Sequence, residues 1–280
     1  MKISNLYFGY KKTEPLLNGL NLSLEPGHIY GLLGQNGAGK TTLLKIMAGL
    51  CFPDSGDVSA LGFLPQRRDP RFLQDIFSMP EDFSLPLISI EKYAQYYGVF
   101  YPRFERGLFD KILAKFSLNP NALLPTLSHG QKKLFLTAFA LSTRVKILIL
   151  DEPSNGLDIP NKQVWQNLLM EEVGEDQLVI LSTHQVHDIV NLIDSVLIMK
   201  EGKILLNASM LELENKLHCG VQTDAPAPDA VFYSELRAGG YVILRANEGE
   251  EPSAIDLSLL FQAFLQNNQI AKLFNGEDHV

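Results

Sequence analysis

Cysteine is scarce: the 280-residue sequence has two, Cys51 and Cys219, lying 168 positions apart and neither in a CxxC pair. That excludes a disulfide framework, gives no zinc-binding pattern and points to a reducing compartment. Long apolar runs are missing too. No stretch approaches the ~18 uninterrupted apolar residues a membrane span needs, and the opening MKISNLYFGY has no signal-peptide core, so work at a membrane requires another chain to hold this one there. Basic charge is also short, with 24 Lys and Arg against 32 Asp and Glu, a net charge of −8. That sign offers no general attraction to phosphate backbones or anionic lipid, and nucleic acid is not an expected partner. The deficit is uneven: residues 219–280 hold 3 basic and 9 acidic residues, while the rest of the chain is close to neutral.

What the sequence does have is a globular composition, 46% hydrophobic and 20% charged, far from the corner where chains stay disordered. Its length suits one large domain, or one domain with a small appendage. Strand-like alternation runs through Lys2–Phe8, Leu20–Glu25 and His28–Gly34, with turn signals at Asn18-Gly19 and Pro26-Gly27. A glycine-rich turn opens a helix at about Gly39–Leu50, and short strands are expected around Asp57–Ala60 and Leu73–Met79. From residue 87 to 144 the apolar spacing becomes helical, in IEKYAQYYGVF, in FDKILAKFSL and in a third helix beginning near Ser128. The unbroken apolar runs KILIL (146–150), QLVILS (177–182) and SVLIMK (195–200) are what parallel strands covered on both faces require. Helices near Pro160–Glu172 and Gln185–Leu192 give the order β-α-β-α-β, which implies a largely parallel sheet with right-handed crossovers. Beyond Asn207, TDAPAPDA reads as a linker or extended piece, YVILRA as a strand and IDLSLLFQAFLQNNQIAKLF as an amphipathic helix, together a small α+β appendage.

Two segments carry chemistry. Gly34, Gln35, Asn36, Gly37, Ala38, Gly39, Lys40 and Thr41 satisfy G-x-x-x-x-G-K-[ST], with Thr42 following, after a strand (IYGLL) and before a helix. Glycines 34, 37 and 39 let the loop bend so that backbone N–H groups point inward, and the helix start adds partial positive charge, which together cradle a β-phosphate. Lys40 is expected to reach the β and γ oxygens and Thr41 to ligate Mg2+. Downstream, Asp151 and Glu152 sit at the carboxyl end of a buried strand, where ligands of open α/β sheets bind. Asp151 would hold the metal through water and Glu152 would polarise the attacking water. The plainer alternatives are a glycine-rich turn without function and a pair of helix-capping acids. The lysine, the threonine and both flanks weigh against the first, and the phosphate loop upstream against the second.

Between these segments lie Leu127, Ser128, His129, Gly130 and Gln131, and the combination resembles the ATP-binding-cassette (ABC) ATPases, whose signature is commonly LSGGQ. His129 replaces the first glycine; Ser128, Gly130 and Gln131 match. In the expected order, Asn155 to Asp158 resembles the D-loop, and Ser182, Thr183 and His184 the switch-histidine loop. Tyr10 takes the place of the aromatic that stacks on adenine. The resemblance covers about residues 2–207. It implies an α/β P-loop NTPase with a largely parallel central sheet, an N-terminal antiparallel β layer, an inserted helical subdomain and a small C-terminal α+β appendage. The expected division is a nucleotide-binding domain at 1–207, with its helical insert at about 87–144, and the appendage at 208–280.

The same resemblance implies an Mg2+-dependent ATPase. It would pair with a second copy or a paralogous ATPase, head to tail around two ATP, with Ser128, His129, Gly130 and Gln131 of one chain capping the γ-phosphate bound by the other. Integral-membrane permease subunits would hold it at the cytoplasmic face of the cell membrane. DEPSNGLD, a single cassette and a small appendage look like bacterial exporter ATPases. Another class, the ABC-type ATPases acting on nucleic acid or ribosomes, usually needs a long coiled coil, a tandem cassette or a basic surface. A simple P-loop nucleotide kinase leaves LSHGQ and His184 without a purpose.

Several positions stay open at this level. Phe8 competes with Tyr10 for the adenine, and His187 reads as a surface histidine. Met47 and Cys51 read as core fillers. The aromatics Tyr93, Tyr96, Tyr97, Phe100 and Tyr101 suit packing of the inserted layer, with docking of a partner helix as the alternative. Where the family carries a glutamine between the core and the insert, this chain has Glu81, after Ile76 to Pro80. It is a further candidate Mg2+ ligand, and Gln66, before that strand, is its competitor.

Overall fold

The computed structural model describes residues 1–11, 14–266 and 269–274. Along the chain, β1 (Lys2–Phe8), β2 (Leu17–Ser23) and β3 (Ile29–Gly34) precede α1 (Lys40–Met47), β4 (Ser55–Ser59), the single turn α2 (Pro70–Leu73) and β5 (Ile76–Met79). The insert holds α3 (Ile90–Tyr97), α4 (Arg106–Lys115) and α5 (His129–Ser142). The core resumes with β6 (Ile147–Asp151), α6 (Ile159–Glu172), β7 (Leu178–Thr183), β8 (Ser195–Lys200) and β9 (Lys203–Ser209). The chain goes on through α7 (Met210–Lys216), β10 (Leu217–Gln222), β11 (Tyr233–Arg237), β12 (Gly240–Ala246), α8 (Leu257–Gln266) and α9 (Gln269–Phe274).

Strands β5-β6-β7-β3-β8-β9 form the central sheet, parallel except for the antiparallel β8–β9 pair. The alternation of side chains along a strand explains why these runs are apolar without a break. Ile147 and Ile149 of β6 pack with Leu43, Leu44 and Met47 of α1, whereas Leu148 and Leu150 pack toward the helical insert. Strands β2-β1-β4 make the antiparallel layer that closes the α1 side of the sheet. A second antiparallel sheet, β10-β12-β11, lies in the C-terminal segment. There Leu217, Leu244, Leu260 and Phe264 are buried in the same apolar cluster as Val196 and Ile198 of β8. Position 207 falls inside β9, which runs to Ser209.

Local chemistry moved several expected boundaries. Asn18 and Gly19 do not turn the chain: they lie within β2, where Gly19, at φ +65°, sits beside a register shift in the β1–β2 ladder, so the strand starts at Leu17. Asp69 caps the Arg71 amide and Pro70 opens a helical turn, which shortens the expected Leu73–Met79 strand to Ile76–Met79. The expected helix at Gln185–Leu192 is absent; a 3-10 turn at Val186–Asp188 stands there. The Thr183 hydroxyl takes the Gln185 amide, and Ser154 and Lys162 hold Asp188, so this short connection is anchored by side chains and closed by tighter turns. The expected C-terminal helix is divided into α8 and α9, and residues 267–268 between them lie outside the described residues.

Candidate active site

The loop from Gly34 to Gly39 follows β3 and ends where α1 begins, so the unpaired amides of the helix's first turn lie at its mouth. Gly37 and Gly39 take φ of +82° and +105°, conformations that suit glycine. Gly34 does not bend the chain this way; it is small because a Cβ there would stand 2.7 Å from the carbonyl oxygen of Met199. Lys40 is buried, and its Nζ donates to the carbonyls of Gly34 (2.6 Å) and Gln35 (3.4 Å). Burial pushes its ammonium below the ordinary lysine range, while Glu152, Asp151 and Glu81 pull it back up.

Parallel pairing places Asp151 beside Ser182 at the ends of β6 and β7. The Thr41 hydroxyl donates to Asp151 Oδ2 at 2.7 Å, and the Ser182 hydroxyl donates to Oδ1. Glu152, also buried, has φ +47°; its Oε1 lies 2.8 Å from His184 Nδ1 and its Oε2 accepts from the Thr183 hydroxyl at 3.2 Å. These groups face a cleft of about 290 Å³ lined by Leu16, Gln35, Asn36, Gly37, Gly39, Lys40, Thr41, Thr42, Glu81, Asp151 and Glu152. Glu81 therefore faces the phosphate loop, and the Asn155 side chain reaches its Oε1 at 3.5 Å. Gln66 lies exposed in a 3-10 turn at Pro65–Arg67. The Tyr10 hydroxyl is 3.2 Å from Thr42 Oγ1 with its ring largely exposed, while Phe8 is buried beneath it in edge contact at 5.0 Å.

The signature turn lies elsewhere. None of Ser128, His129, Gly130 or Gln131 lines the cleft. Ser128 is the N-cap of α5 in a capping box: its hydroxyl oxygen accepts from the Gln131 amide (3.2 Å), and Gln131 Oε1 accepts from the Ser128 amide (3.0 Å). The exposed His129 ring stacks on Phe83 at 5.7 Å, and Asp158 caps α6 through the Asn161 amide at 2.9 Å. His187 is exposed, Met47 is fully buried, and Cys51 packs at the edge of the core behind the loop.

Sequence reasoning missed Lys133. This fully buried lysine of α5 donates to the main-chain carbonyl of Glu152. The signal was its place at the head of LFLTAFALS, a stretch apolar enough to be buried all round, where a charge needs a partner. The chain also conceals Leu16, which enters the cleft from the residue just before β2 without any motif.

A parallel sheet carrying a phosphate loop, with paired carboxylates and a histidine on the adjoining strand ends, defines a P-loop ATPase. Residues 17–155 match the ABC transporter family. The Nod factor export ATP-binding protein I of Burkholderia orbicola is 32% identical over 232 residues, 80% of this chain and 76% of the relative. The SkfA peptide export ATP-binding protein SkfE of Bacillus subtilis is 29% identical over 222 residues, 77% of this chain and 92% of the relative. The solved structure of cbiO1 from Clostridium perfringens, described as part of the ABC transporter complex cbiONQ, superposes with a TM-score of 0.60 at 26% identity, covering 74% of this chain and 87% of that one. The chain belongs to the ABC transporter family and is an ATP-binding, ATP-hydrolysing cassette.

Proposed function

We propose that this cassette powers export through separate membrane subunits, working as a pair that closes around two Mg-ATP. The observation that carries the pairing is the split site: the cleft has the phosphate loop, both carboxylates and His184 nearby, yet the signature turn of the same chain stays out of it. A second copy turned head to tail would bring Ser128, Gly130 and Gln131 to the γ-phosphate, with His129 beside them, and Asp158 would sit near that seam.

Within each site, Lys40 would exchange the carbonyls of Gly34 and Gln35 for β and γ oxygens. The hydroxyl of Thr41 and the carboxylate of Asp151 are hard oxygen donors already drawn together, a set that suits Mg2+, with Glu81 close by. The ion, when bound, would shield phosphate charge. Glu152 would take the proton of the attacking water, and His184 and the Thr183 hydroxyl, each holding one oxygen of that carboxylate, would fix it at the edge of the cleft. Tyr10, exposed at the rim, would stack on the adenine.

The transport reading draws support beyond the names of the relatives from the surface of the helical insert. In that reading attachment at the cytoplasmic face would fall to a partner; no helix among the described residues is long and apolar enough to cross a membrane. A hollow of about 500 Å³ on the helical insert's side is lined by the rings of Tyr93, Tyr97, Phe100 and Tyr101 and not by a phosphate-binding loop. Tyr93 and Tyr101 pack inward, while Tyr97 and Phe100 leave 39% and 63% of their surface exposed, beside Leu50 at 52%. Such a patch suits a short helix of a permease subunit.

The test is Glu152→Gln, which keeps size and hydrogen bonding but removes the base. Expected is a shift to twice the mass on sizing chromatography with Mg-ATP, and co-purification of a multi-span protein from detergent-solubilised membranes. A variant that hydrolyses ATP at the native rate overturns the site assignment, and native complexes without any membrane subunit overturn the transport reading.

A further inference from the structure

From Lys133 to Ser142 every residue of α5 is buried, and Lys133 is the one charged side chain among them. Leucine or methionine would fill such a position without electrostatic cost, whereas a buried ammonium persists only where its surroundings hold it. Its Nζ donates to the carbonyl of Glu152; burial pushes its ammonium below the ordinary lysine range, and Glu81, Glu152, Asp151 and Asp82 offset part of that shift. Glu152 has a left-handed backbone, which a glutamate keeps only when neighbours impose it. Those neighbours act at both ends of the residue. The Glu152 amide donates to the carbonyl of Ser182 at 3.1 Å, and the Glu152 carbonyl accepts from Lys133 and from the Asn155 amide at 3.3 Å. Asn155 in turn reaches Glu81 with its side chain.

We propose that Lys133 is a positioning residue for hydrolysis: its buried ammonium locks the Glu152 peptide so that the carboxylate faces the phosphate cleft, and it supplies positive charge behind Glu81, Asp151 and Glu152. Because Lys133 shares α5 with Ser128, about one and a half turns away, a shift of this helix on contact with the partner's nucleotide is felt at Glu152. The inference rests on Glu152 as the group that activates water.

The experiment uses the full chain and two substitutions, Lys133→Met, of similar length without charge or donor, and Lys133→Gln, which keeps a donor. Each is made alone and in the Glu152→Gln background, and kcat, KM, binding of a fluorescent ATP analogue and thermal midpoint are measured. Lys133→Met is expected to lower kcat about 10- to 100-fold, the loss of one charge-assisted hydrogen bond, with KM and nucleotide binding within about twofold. In the Glu152→Gln background it adds no further loss. Native kcat in Lys133→Met overturns the proposal. So do losses of nucleotide binding that match the loss of kcat, or losses that multiply in the double variant, since both mark a merely structural role. If Lys133→Met does not fold, Lys133→Gln carries the same comparison, with a smaller expected fall. Should Glu152→Gln itself keep the native rate, the active-site reading fails and the inference with it; an inactive Glu152→Gln beside an unimpaired Lys133→Met sinks the inference alone.

Discussion

Replacing Gly202 by alanine should loosen the phosphate loop from behind. Gly202 closes the β8–β9 hairpin with Glu201, at φ +74° and +49°. Its amide donates to the carbonyl of Ala38 in the phosphate loop at 3.2 Å, and its carbonyl accepts from the Asn18 amide at 3.4 Å. A Cβ at this position would stand 2.0 Å from the carbonyl oxygen of Leu16, backbone that cannot swing aside like a side chain. Two costs follow. A non-glycine residue in the left-handed region costs about 1 kcal/mol. Relieving the overlap moves the hairpin away from Ala38 and Asn18, at about 1 kcal/mol for each hydrogen bond lost. The total is about 3 kcal/mol, or roughly 6–12 °C in thermal midpoint at 2–4 °C per kcal/mol. Gly62→Ala is the control: φ is +80°, but nothing lies within 4 Å of the added Cβ. Only the backbone cost remains there, about 2–4 °C. Thermal unfolding without nucleotide compares the two, and titration with a fluorescent ATP analogue should show weaker binding in Gly202→Ala alone. Equal midpoints, or unchanged affinity in Gly202→Ala, would refute the claim that this hairpin braces the loop.

Two other expectations follow from groups placed by the fold. Glu81 adds a negative charge to a cleft that already holds Asp151 and Glu152; at about 4–8 Å and an effective dielectric near 20, like charges cost about 2–4 kcal/mol before Lys40 and Lys133 offset part of it. The ATPase rate should therefore fall more steeply on Mg2+ depletion in the native protein than in Glu81→Gln, and superimposable curves would deny Glu81 a role at the metal. Burial raises the hydroxyls of Tyr93 and Tyr101 to about 12. The unfolded chain ionises them near their ordinary value of about 10, so the stability they protect is complete below that pH and is lost as pH rises toward 12. Ultraviolet titration should show these two ionising only as the helical insert opens, which Tyr93→Phe would delay; ionisation near pH 10 in the intact fold contradicts the packing.

The parts of this molecule that were legible in advance are those where one local rule acts alone. KILIL, QLVILS and SVLIMK announce strands buried on both faces, and the phosphate loop announces itself because few residue types satisfy both the turn and the ligand. His184 could be placed by its position after β7, and the structure puts its Nδ1 on Glu152. Where two tendencies compete, the sequence is ambiguous. The segment after His184 has helical spacing, but Thr183, Ser154 and Lys162 tie it into turns. Asn18-Gly19 is chemically a turn, and ladder pairing with β1 absorbs it into a strand. The C-terminal strands β10 and β11 alternate weakly, since much of their surface is half-buried, and only β12 between them reads clearly. Lys133 was hidden because a lysine beside a second lysine looks like solvated charge until the helix has a direction.

The capping box at Ser128 decides what kind of ligand the signature turn can greet. A serine hydroxyl is ordinarily amphoteric, able to give or to receive a hydrogen bond. Here one lone pair of its oxygen is committed to the Gln131 amide, which leaves the proton and a second lone pair to offer. An aspartate would cap α5 equally well and present only lone pairs to whatever approaches. The serine thus leaves the turn able to give a hydrogen bond to an anion, which an aspartate cap would repel, and it holds that hydroxyl in place only while the first turn of α5 stays wound.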